Sequence, residues 1–99
     1  MRQYLNACNK LMSDQDDDEE MWEEAQEYWI DLIEEEGAAK MVNLAIGSLN
    51  DLTPKDKDAM TYFVQVLLMQ GYLHQSDDAF VRMENAVNNL QKLSQVSPQ

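Results

Sequence analysis

The sequence predicts an all-α fold: a compact bundle of four to five antiparallel helices in a single domain spanning residues 1–99. Three observations carry that prediction. Apolar residues recur at i, i+3, i+4 and i+7 along most of the chain. Three Gly and two Pro are few, as long helices require. No β-rich alternating segment, solenoid-period repeat or interdomain linker interrupts the pattern.

The first helix is expected over about Arg2 to Met12, with Tyr4, Leu5, Cys8, Leu11 and Met12 on one face. Ser13 and Asp14 supply capping side chains for the second, whose first turn falls at Asp16 to Asp18, where anions suit the positive end of the helix dipole. This acidic amphipathic helix is expected over about residues 14–36. Met21, Trp22, Ala25, Tyr28, Trp29, Leu32 and Ile33 form its inner stripe, and Gly37 is the stop beyond its C-terminus. A third helix, about Ala38 to Asp51, turns Met41, Val42, Ala45, Ile46 and Leu49 inward, followed by Leu52. Thr53 and Pro54 then give the clearest local signal: Thr53 can cap, Pro54 fits the first helical position, and Asp56 occupies the third position of a near capping box.

The fourth helix, about Pro54 to Leu73, is apolar on most sides and is expected as the central element or one that also faces a partner. Tyr62, Val66 and Met69 are its candidate oligomer contacts, which would make a homodimer. Ser76 caps a fifth helix with Asp77 and Asp78 in its first turn and Phe80, Met83, Ala86, Val87, Leu90 and Leu93 inside. The tail, about 94–99, should fray.

An apolar content of 44% with 26% charged residues is that of a folded globule. Cys8 is the only cysteine, so no intramolecular disulfide can form, which suits a reducing cytoplasm. Residues 1–12 lack an apolar signal core, and the most apolar run, 59–72, is too short to span a bilayer. A cytoplasmic location is therefore expected (host cytoplasm for a viral chain).

Carboxylates are abundant, yet known chemistries do not fit them. Asp14, Asp16 and Asp18 imitate the start of a calcium loop, which then fails at Glu19, where Gly is needed, and at Ala25, where a bidentate Glu belongs. A di-iron bundle needs two Glu-x-x-His motifs, and the only histidine, His74, follows Gly71 by three. Cys8 on an apolar face reads as core, and Gly37, Gly47 and Gly71 form no phosphate loop. No catalytic residue, metal or cofactor is expected.

Charge is distributed unevenly. Thirteen of the nineteen acidic residues lie between Asp14 and Glu36, a stretch with no Lys, Arg or His. The remaining six acids stand against seven Lys and Arg, so the net charge of −12 belongs to one element. Six like-charge pairs at i, i+4, such as Glu23/Glu27 and Glu27/Asp31, each disfavour the helix by roughly 0.2–0.5 kcal/mol where exposed. A surface made only for solubility would intersperse lysines. Residues 14–36 as a helix extend about 33 Å, roughly one charge per 2.5 Å against ~1.7 Å for duplex DNA.

In this charge pattern the chain resembles acidic nucleic-acid mimics and the small anti-defence inhibitors of phages (anti-restriction, anti-CRISPR); it carries no motif of any one family. The resemblance implies a non-enzymatic inhibitor that occupies a basic, nucleic-acid-binding site on a protein partner. Asp16, Asp17, Glu20, Glu23, Glu24, Glu27, Asp31, Glu34 and Glu35 are the expected contact residues. Direct binding to nucleic acid or to an anionic membrane is not expected at a pI near 4.1. The rival readings are an oligomeric structural or regulatory module, and a chaperone-like or antitoxin-like cap for a basic protein.

Overall fold

A computed structural model describes the backbone of residues 1–13 and 18–95 and the side chains of 1–13 and 20–93. Among the described residues five α-helices follow one another: α1 (Arg2–Ser13), α2 (Asp18–Glu36), α3 (Ala38–Gly47), α4 (Lys57–Met69) and α5 (Asp78–Gln95). Two short 3₁₀ turns, Leu49–Asp51 and Pro54–Asp56, join α3 to α4. The described residues contain no strand, and the chain is an all-α bundle.

One apolar core receives side chains from all five helices. α1 supplies Leu5, Cys8 and Met12, the i, i+3, i+7 positions of its inner face. α2 supplies Ala25, Trp29 and Ile33, the centre of the predicted stripe, while Met21, Trp22, Tyr28 and Leu32 are half-buried along its margins. Trp29 is enclosed completely, its ring centroid 4.7 Å from that of Phe63 on α4 and 5.2 Å from that of Tyr28. Truncating either Trp29 or Phe63 to alanine would cost about 3–5 kcal/mol, so this contact is a principal tie between α2 and α4.

α4 is the central element, packing on α1, α2 and α5. It is not buried all round: Ala59, Met60, Phe63, Val64, Val66 and Leu67 share one broad arc, whereas Gln65 and Met69 face outward. Nor does it reach Leu73. Gly71 takes a φ of +78°, its N–H donates to the Leu68 carbonyl, and the Tyr72 N–H donates to that of Leu67. These two bonds make a Schellman stop. Gly37, at a φ of +96°, ends α2 as predicted, its N–H donating to the Ile33 carbonyl at 2.9 Å.

Other boundaries also differ from expectation. α3 ends at Gly47 and tightens into a 3₁₀ turn before Leu52. α5 begins one residue later than Ser76 would set it. Asp77 precedes its first turn, the Asp77 carbonyl accepting from Val81 and its side chain from the His74 N–H. Leu93 points outward at 60% exposure rather than into the core. Ser13 ends α1 with its hydroxyl donating to the Lys10 carbonyl. The caps and first turn expected at Asp14, Asp16 and Asp17 lie outside the described residues, as does the tail beyond Gln95 where fraying was expected.

The capping box at Thr53 forms, but Asp56 does more than close it. The Asp56 side chain is fully buried. Its Oδ2 accepts from the Thr53 N–H at 2.8 Å and from Arg2 Nη1 at 2.7 Å, and its Oδ1 accepts from Asn9 Nδ2 at 3.0 Å. A second Arg2 nitrogen donates to the Asp51 carbonyl. One carboxylate thus fastens α1 at two points, Arg2 and Asn9, to the entrance of α4.

Candidate protein-binding surface

α2 packs its inner face on α4, α1 and α3, which fixes the direction of its outer face. Glu20, Glu23, Glu24, Glu27, Asp31, Glu34 and Glu35 are all exposed. At 100° per residue these seven fall within an arc of about 120°, and they extend about 22 Å along the helix. The sequence-predicted contact residues that the structure describes therefore form one continuous stripe. Asp16 and Asp17 are outside the described residues.

None of the seven makes an ion pair among the described residues. Among the described α2 carboxylates, Glu36 alone has a cation: it accepts from Lys40 at 2.9 Å and, weakly, from the Tyr4 hydroxyl at 3.4 Å. The Lys40 hydrogen bond lowers the Glu36 pKa and raises that of Lys40. Other cations are engaged elsewhere: Arg2 with Asp56, Lys57 with Asp58 and Arg82 with Asp78. The stripe is left as an uncompensated line of negative charge.

Its margins are partly apolar. Trp22 and Tyr62 stack at 4.8 Å, tilted by 55°, and Gln26 Nε2 reaches Met69 Sδ at 3.9 Å. Of the three residues expected at an oligomer interface, only Met69 is well exposed, at 54%. Tyr62 is half-buried against Trp22. Val66 is fully enclosed by the core and offers a partner no surface. Sequence periodicity alone could not separate these, because α4 is apolar on several faces.

The described residues hold no group of three His, Cys, Asp or Glu side chains placed to converge on a metal ion. Cys8 lies inside the core, and burial pushes its thiol up to about 11, against a smaller opposing effect of the Trp29 N–H. That indole nitrogen is buried and makes no hydrogen bond among the described residues. Burial, with the nearby Cys8 and Tyr4, likewise raises the Tyr28 phenol to about 12, and its hydroxyl donates to the Tyr4 carbonyl at 3.1 Å. These groups tie α1 to α2. Among the described residues no helix is long and apolar enough to cross a membrane. The chain matches no family model, no curated protein and no solved structure.

Proposed function

We propose that this protein is a non-enzymatic binding protein whose α2 stripe occupies a basic, nucleic-acid-binding site on a protein partner. Its most concrete form is a phage-type inhibitor, such as an anti-CRISPR or anti-restriction DNA mimic acting in the host cytoplasm. The observation that carries this reading is the arrangement of seven exposed, unpaired carboxylates in one narrow arc of a helix whose opposite face is locked into the core. A rigid line of charge loses little conformational freedom on binding, and it steers itself toward a Lys- and Arg-lined groove. Like-charge neighbours disfavour the free helix, and a basic partner would relieve that repulsion.

The test is capture from bacterial lysate on the immobilised protein, in low and high salt, beside a variant carrying Glu23→Lys, Glu24→Lys, Glu27→Lys and Asp31→Lys. The wild type should retain a specific protein that salt and added DNA both release, because DNA competes for the same site. The variant should stay folded and retain nothing. Undiminished capture by the variant in moderate salt would end the mimic reading.

A further inference from the structure

We draw no further inference here: the strongest candidate, the apolar surface patch that Met69 and the stacked Trp22–Tyr62 pair form where α4 borders the acidic stripe of α2, adjoins the surface already described, and nothing in the structure shows what covers it.

Discussion

Arg2 Nη1 lies 2.7 Å from Asp56 Oδ2, joining residues 54 positions apart at the one fully buried charged side chain described. Arg2 is itself 40% exposed, so solvent already satisfies part of its charge, while Asp56 depends wholly on protein donors. Asp56→Ala would leave the Thr53 N–H, the Asn9 amide and the guanidinium without their acceptor, and should cost about 3 kcal/mol. Arg2→Ala should cost less, about 1–2 kcal/mol, because the Thr53 and Asn9 donors remain. Urea denaturation of the two variants checks the order.

The same site predicts an acid response. Burial pushes the Asp56 carboxyl up, but the Thr53 N–H, the Arg2 guanidinium and the Asn9 amide outweigh it and hold the carboxyl below its ordinary value. The folded state therefore binds this proton less readily than the unfolded chain. The stabilisation is complete above the unfolded pKa of about 3.9 and is lost as pH falls through the depressed folded value. The stability gap between wild type and Asp56→Asn should stay constant from neutral pH to about pH 5 and narrow below pH 4. Chemical denaturation at a series of pH values measures that gap.

Much of this fold is legible in the sequence because several signals coincide at one place. Gly37 stops α2, the stripe around Ala25, Trp29 and Ile33 enters the core, and Thr53-Pro54 opens the turn into α4. Other features depend on tertiary contacts that no local pattern carries. A third-position aspartate is ordinarily solvated, and Asp56 is buried only because α1 returns to cover it. Val66 and Met69 read alike on an apolar helix until neighbouring helices choose the arc. Leu93 continues the period of α5 beyond the point where the core ends. Gly71 is the exception, a stop signal present in the sequence but masked by the apolar residues on either side.

Glycine positions give a prediction with opposite signs. Gly71 takes a φ of +78° with open space around a notional Cβ, so Gly71→Ala suffers from backbone strain alone. It should destabilise by about 1–2 kcal/mol. Gly47 lies at the end of α3, outside the positive-φ region and equally open. Gly47→Ala should stabilise by about 0.5 kcal/mol through the lower entropy of the unfolded chain. Thermal melts of both variants beside the wild type test the pair.

Cys8 should behave as an inert core residue. It is fully buried, and moving its pKa from 9.0 to about 11 cuts the thiolate fraction at neutral pH about a hundredfold. Thiol labelling of the native protein should therefore be slow and should accelerate with denaturant in step with unfolding. Fast labelling without denaturant would show that α1 opens locally, independently of the rest of the core.

The acidic stripe makes stability and binding pull in opposite directions. Glu27 has Glu23 four residues before it and Asp31 four residues after it, and all three are exposed. Glu27→Lys turns two repulsive pairs into two attractive ones, including the favoured order of acid preceding base at Glu23 and Lys. The free protein should gain about 1 kcal/mol in low salt, and screening should erase most of that gain in high salt. Binding to the basic partner should weaken at the same time, since the substitution places a cation at the centre of the stripe. A melting temperature that rises while affinity falls is the outcome expected of a surface kept acidic for a partner. If Glu27→Lys raised stability and left binding intact, the stripe would be a solubilising surface and the contact would have to lie elsewhere.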